Sequence, residues 1–88
     1  YWVTYAGKDP IAYFKKYPGR FELWHVKDMK AGEAKKMIEV GSGIIDYKKL
    51  FEYASASGMT AFFVEQDEIE GDGFESVKAS FDYLNNIL

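Results

Sequence analysis

One histidine and one glutamate stand at matched places in two short apolar runs, and their types and spacing could bind a metal ion. Phe21 to Asp28 reads FELWHVKD, and Ala61 to Asp67 reads AFFVEQD. His25, the only histidine of the chain, lies near the end of the first run, and Glu65 lies at the corresponding place in the second. If both runs are strands, each offers one ligand at its carboxyl end, and two such ends make one site. Neutral imidazole with carboxylate suits Mn²⁺, Zn²⁺, Co²⁺ or Fe²⁺, and a carboxylate-rich set also suits Mg²⁺. Two ligands do not close a coordination sphere, so the remaining ones must come from elsewhere.

The same residues have plainer readings. A lone histidine at a strand end is a common hydrogen-bonded structural residue. Glu65 continues the side of Ala61 and Phe63, where an acid buried without a partner is costly, so it needs a cation or a strong donor. On residue pattern alone both readings stand. Lys27 and Asp28 continue past His25 at the rim, where a lysine could hold a substrate oxygen and an aspartate could orient His25 or a water. A surface ion pair is the alternative. Trp2 could stack on a sugar ring or belong to the core, whereas Trp24, on the helix side of its strand, reads as core.

Two further motifs carry less. The acidic cluster Glu65, Asp67, Glu68, Glu70 and Asp72 lacks the ligand offsets of a calcium loop and reads as solvated. Gly41-Ser42-Gly43 would cradle a phosphate only as a turn opening directly onto helix amides, and Ile44-Ile45 intervene before the cap. It reads as loop closure, with substrate contact as the alternative.

The elements that must position these residues follow from local chemistry. Tyr1 to Tyr5, aromatic and β-branched, reads as the tail of a strand. Asp9-Pro10 starts a helix whose Ile11, Phe14 and Tyr17 share a buried face, and Pro18-Gly19 ends it. Strand alternation over Phe21 to Lys27 points Phe21, Leu23 and His25 one way and Glu22, Trp24 and Val26 the other, which gives His25 the face of a core residue. Residues 28–43 form a long polar excursion in which a short MIEV run could pair locally. Asp46 caps a second helix with Leu50, Phe51 and Ala54 inward, and Gly58 closes it. A strand from Thr60 to Gln66 follows. Asp72 then caps a last helix whose Phe74, Val77, Phe81, Leu84 and Leu88 recur at helical spacing. Strand and helix alternate three times, which implies parallel strands in an α/β sheet or a section of a β/α barrel, where sites gather at the carboxyl ends of strands.

Composition narrows the partners. Eighty-eight residues make one domain at most, and a first residue other than Met inside an apolar patch reads as a cut piece. The chain is 48% hydrophobic, 28% charged and 18% aromatic, which excludes a disordered tail. So short a chain without cysteine builds a marginal core, so its apolar faces need a cover, whether missing chain or a second copy in a homo-oligomer. A net charge of −3 with scattered lysines argues against nucleic acid as the main partner. No run approaches the roughly 18 apolar residues of a membrane span. Without cysteines the compartment stays open, cytoplasmic or exported, and any leader would precede Tyr1.

The stretches WVTYAGKDPIAYFKKYPGRFELWHVKDM, VGSGIIDYKKLFEYASASGM and FFVEQDE, taken in order, resemble the last part of the sugar phosphate isomerase/epimerase family, the barrel enzymes similar to xylose isomerase. The resemblance covers nearly the whole chain. It implies strands six to eight of a (β/α)₈ barrel, with residues 1–88 as a partial domain and the earlier units missing. It also implies a divalent metal (Mn, Mg, Zn or Co) held by Glu, Asp, His and Glu from four strand ends, with His25 and Glu65 as the last two. The family aspartate would fall about three positions ahead of Trp2, and the first glutamate further upstream. Trp2 falls near a position where some sugar epimerases carry a substrate-binding histidine. Lys27, Asp28, Met29 and Lys30 stand where related ketose epimerases show His-Arg-Gly, which implies a different substrate.

The expected function is isomerisation or epimerisation of a sugar or sugar derivative, with Glu65 sharing ligation and proton transfer. The alternatives are a lyase or hydrolase on keto-glycosides and a non-catalytic sugar-binding barrel. A three-zinc endonuclease of the same architecture fits a single histidine poorly.

Overall fold

The computed structural model describes all 88 residues as a mixed α/β chain. In order it contains α1 (Trp2–Tyr5), α2 (Pro10–Lys16), β1 (Leu23–Val26), β2 (Asp28–Met29), β3 (Met37–Ile38), α3 (Tyr47–Phe51), α4 (Ala54–Ser57), β4 (Ala61–Val64) and α5 (Gly73–Ile87). β1 and β4 pair in parallel, Leu23 opposite Ala61 and Val26 opposite Val64, while β2 and β3 form a short antiparallel pair. No helix is long and apolar enough to cross a membrane.

The helix starts are where side-chain chemistry places them. Asp9, Asp46 and Asp72 each accept a hydrogen bond from a first-turn amide, those of Ile11, Lys49 and Glu75. Gly58, at φ +87°, ends α4 in the left-handed conformation that a side chain disfavours. Between them the core assembles on one side of the parallel pair. Phe14 stacks on Trp24 with ring centroids 4.9 Å apart, Phe51 meets both Trp24 and Phe62, and Val26, Tyr47 and Leu50 complete the layer.

Several expectations from the sequence need correction. Tyr1 to Tyr5 is a helical turn, which brings the rings of Tyr1, Trp2 and Tyr5 together. The chain therefore holds two parallel strands rather than three. Phe21 lies outside β1 and packs edge-on against Phe14, so it does not share a face with His25. The other sheet face is open: Leu23 and Phe63 are exposed, because helices cover only the Trp24 side. Tyr17, beyond the end of α2, is also exposed.

The helix α5 also turns a different face inward from the one its apolar spacing predicts. Its buried residues are Ser76, Ser80 and Leu84, whereas Phe74, Val77, Phe81 and Leu88 face outward, Phe74 at 90% exposure. Both sets have helical spacing, and polar satisfaction decides between them. Ser80 Oγ accepts from the Val40 amide, and Ser76 Oγ donates to Gln66, so the small serine face lets the helix meet the 38–43 segment closely. Val77, Phe81 and Leu88 of the outward stripe line an open apolar cleft with the β4 residues Phe62 and Val64.

One carboxylate holds the long excursion after β1. Asp28, 1% exposed, accepts four backbone hydrogen bonds: Oδ1 from Met29 and Ile45, Oδ2 from Gly41 and Gly43, at 2.8 to 3.1 Å. The Gly41 and Gly43 amides thus cradle an anion supplied by the chain itself, while the Ser42 amide donates to the Glu39 carbonyl. A methyl group on Gly43 would fall 2.3 Å from Asp28 Oδ1, so glycine is required there. Hydrogen bonds to a charged acceptor contribute about 1.5–3 kcal/mol each, with a combined effect below their sum. Asp28→Ala is therefore expected to destabilise the full-length protein by about 4 kcal/mol and Asp28→Asn by about 2 kcal/mol. Urea unfolding checks this, with Gly43→Ala expected to behave like Asp28→Ala.

Candidate metal and substrate site

In a strand, alternate residues share a face, so His25 and Lys27 project from the same side of β1 and its extension as Phe63 and Glu65 do from β4. Pairing continues one step past both strands, where the Glu65 amide donates to the Val26 carbonyl at 3.0 Å. That step sets Glu65 beside the histidine. His25 Nδ1 lies 3.2 Å from Glu65 Oε1, and the imidazole meets the edge of Phe63 with centroids 6.2 Å apart. The histidine side chain is 61% exposed and that of Glu65 36% exposed, so both are open to a ligand.

This spacing fits a shared cation. Metal–nitrogen and metal–oxygen bonds of about 2.0–2.2 Å put neighbouring ligand atoms about 3.0 Å apart at right angles and about 3.4 Å apart in a tetrahedron. The observed 3.2 Å falls between them. The local charge is favourable as well, since two carboxylates, Glu65 and Asp67, face one ammonium, Lys27. One negative charge is left uncompensated next to the imidazole. No group of three or more His, Cys, Asp or Glu side chains here could hold a metal ion, so these two side chains do not by themselves make a metal site.

Lys27 is not at a rim. Its side chain is 7% exposed, and Nζ contacts Asp67 Oδ2 at 2.9 Å and Glu65 Oε2 at 3.1 Å, with the Trp2 ring centroid 5.6 Å away. The bond to Asp67, followed by that to Glu65, holds its ammonium above the ordinary lysine range against the pull of burial. Two of its three ammonium hydrogens are thus engaged by carboxylates. Asp28 departs further from the sequence reading. With its oxygens taken by loop amides it orients neither His25 nor a water.

Trp2, by contrast, stays 56% exposed and lines, with His25, Trp24, Val26, Tyr13 and Phe14, an apolar cleft of about 520 Å³ beside β1. Glu65 and Lys27 lie outside this cleft, so the polar pair stands at its edge. The buried Trp24 Nε1–H within that wall has no hydrogen-bond partner.

Two contributors escaped the sequence reading. Asp67, placed in the solvated acidic loop, lies two residues after Glu65 and so reaches Lys27 from the same side; that offset in VEQD was the available signal. Tyr47 gave none. Its hydroxyl accepts from the Lys27 amide at 2.9 Å and donates to the Lys27 carbonyl, which anchors the backbone where β1 leaves the sheet. Burial holds the Tyr47 phenol well above its ordinary pKa, so it remains a donor. Tyr47→Phe strands both backbone groups of Lys27, and a loss of about 1–3 kcal/mol in urea unfolding is expected.

No family model matches the chain. Distant similarity links it to inosose dehydratase of Lacticaseibacillus casei, 28% identical over 102 aligned positions that cover 94% of this chain and 34% of that protein. Inosose dehydratase of Geobacillus thermodenitrificans (strain NG80-2) is 27% identical over 101 positions, covering 93% and 34%. The chain thus spans about a third of the length of the curated relatives it matches. Both relatives bear the name of a dehydratase, and the isomerase or epimerase reading goes beyond that likeness.

Proposed function

We propose that this chain supplies part of the active site of a metal-dependent enzyme that moves a proton on carbon beside a carbonyl of a sugar or sugar derivative. The observation that carries the reading is the approach of His25 Nδ1 to Glu65 Oε1 at the ends of paired parallel strands. A divalent cation bound there would supply Lewis acidity toward a carbonyl or hydroxyl oxygen. His25 offers a neutral nitrogen. Glu65 offers the half-exposed carboxylate that could both bind the cation and take a proton at the adjacent carbon. Trp2, exposed above Lys27, supplies an apolar wall on which a sugar face could lie.

The fold reading belongs to the same proposal. Residues 1–88 form the last part of a (β/α)₈ barrel, and the missing ligands come from strands outside this segment. Three features support it: both outer edges of the β1–β4 pair are unpaired, the His25 face is uncovered, and Trp24 Nε1–H awaits an acceptor. Parallel sheets are normally covered on both faces.

Isomerisation or epimerisation and loss of water share their first step, removal of a proton beside a carbonyl. The names of the two relatives favour the second outcome, elimination of water from a keto-polyol. Incubating the full-length protein with keto-sugars and keto-inositols in deuterated water separates them. Epimerisation or isomerisation returns an isomer carrying deuterium, and dehydration returns a product lighter by one water.

His25→Ala and Glu65→Ala are each expected to lower bound metal by more than tenfold and to abolish turnover. Unchanged metal content in both variants would refute the assignment. Tight sugar binding by a protein with neither metal nor turnover would favour a binding barrel instead.

A further inference from the structure

We propose that Lys27 is a positioning residue that reserves one oxygen of Glu65 for the cation. The inference rests on the metal-site reading above and specifies how that site is kept in shape. Glu65 presents its two oxygens to different partners, Oε1 to His25 at 3.2 Å and Oε2 to Lys27 Nζ at 3.1 Å. A carboxylate free to rotate could bind a cation through both oxygens or swing away from the histidine. Lys27 removes that freedom: with Oε2 engaged, Oε1, on the side facing His25, is the oxygen that would be left to hold a cation.

Lys27 is suited to this because little about it can move. Its backbone N–H and C=O are both held by the Tyr47 hydroxyl, its side chain is 7% exposed, and Asp67 takes a second ammonium hydrogen at 2.9 Å. The Trp2 ring lies over the same ammonium, with its centroid 5.6 Å from Nζ. Anchored at both ends, the lysine acts as a fixed post. Partners of this kind behind a ligand commonly change metal affinity by tenfold to a hundredfold when removed.

The test uses the full-length protein and Zn²⁺ or Co²⁺ alone as the probe. Metal affinity is measured for wild type, Glu65→Ala, Lys27→Met and Lys27→Arg, with circular dichroism to confirm folding. Lys27→Met is expected to weaken metal binding roughly tenfold to a hundredfold, and Lys27→Arg to recover part of that loss. A second readout needs no lysine variant. Infrared difference spectra of metal-loaded wild type against Glu65→Ala should show the widely separated carboxylate stretches of one-oxygen ligation.

Closely spaced stretches, meaning both oxygens bind, would overturn the proposal, as would wild-type affinity in a folded Lys27→Met protein. If Glu65→Ala leaves affinity unchanged, the metal-site reading itself fails and the positioning role falls with it. That result is distinguishable from one in which Glu65 matters and Lys27 does not.

Discussion

Parallel pairing of β1 with β4 sets His25 opposite Phe63, and the ladder continues to the bond from the Glu65 amide to the Val26 carbonyl. Because side chains alternate along a strand, this register puts the imidazole, the Lys27 ammonium and the Glu65 carboxylate on one face. Trp24, Val26 and Phe62 then go to the other, beneath the helices. A slip of one residue would send Glu65 into the aromatic layer and leave His25 without a neighbour. The chemistry of the site is thus a property of strand register first and of the side chains second.

Around that pair, polar groups are spent on geometry rather than on solubility. Asp28, Lys27 and Tyr47 are all buried, and each binds the backbone or side chains of the segment that leaves β1. Asp28 gathers the amides of the 41–45 turn, Tyr47 fixes the Lys27 peptide, and Lys27 reaches across to Glu65 and Asp67. Buried charges and hydroxyls of this kind are tolerated because nearly every hydrogen-bonding position is filled. They join the loop after one strand to the end of the other. The site is therefore held by side chains as well as by the short ladder, which in two strands of four residues would be weak alone.

Much of this was legible in the residues, and the exceptions share a physical cause. Asp9, Asp46 and Asp72 cap helices through contacts within three residues, so local sequence suffices. β1 and β4, with His25 and Glu65 at their ends, follow from short apolar runs. Tyr1 to Tyr5 misleads because its aromatic and β-branched residues suit a strand, whereas edge-on and tilted contacts among Tyr1, Trp2 and Tyr5 are made within one helical turn. On α5 the serine face and the aromatic face have the same period, and the deciding contacts, Val40 and Gln66, come from other segments. Lys27 and Asp28 look like rim residues because the alternation ends at Val26. Apart from the neighbouring Met29 amide, the hydrogen-bond partners of their side chains lie thirteen to forty positions away, beyond the reach of any local pattern.

The most direct test is anomalous X-ray scattering at the absorption edge of Mn, Co or Zn on crystals of the full-length protein grown with that metal. The account predicts one strong anomalous peak within about 2.0–2.2 Å of both a His25 nitrogen and Glu65 Oε1, with Lys27 still on Oε2. A peak elsewhere, or no peak between those two side chains at saturating metal, would contradict it.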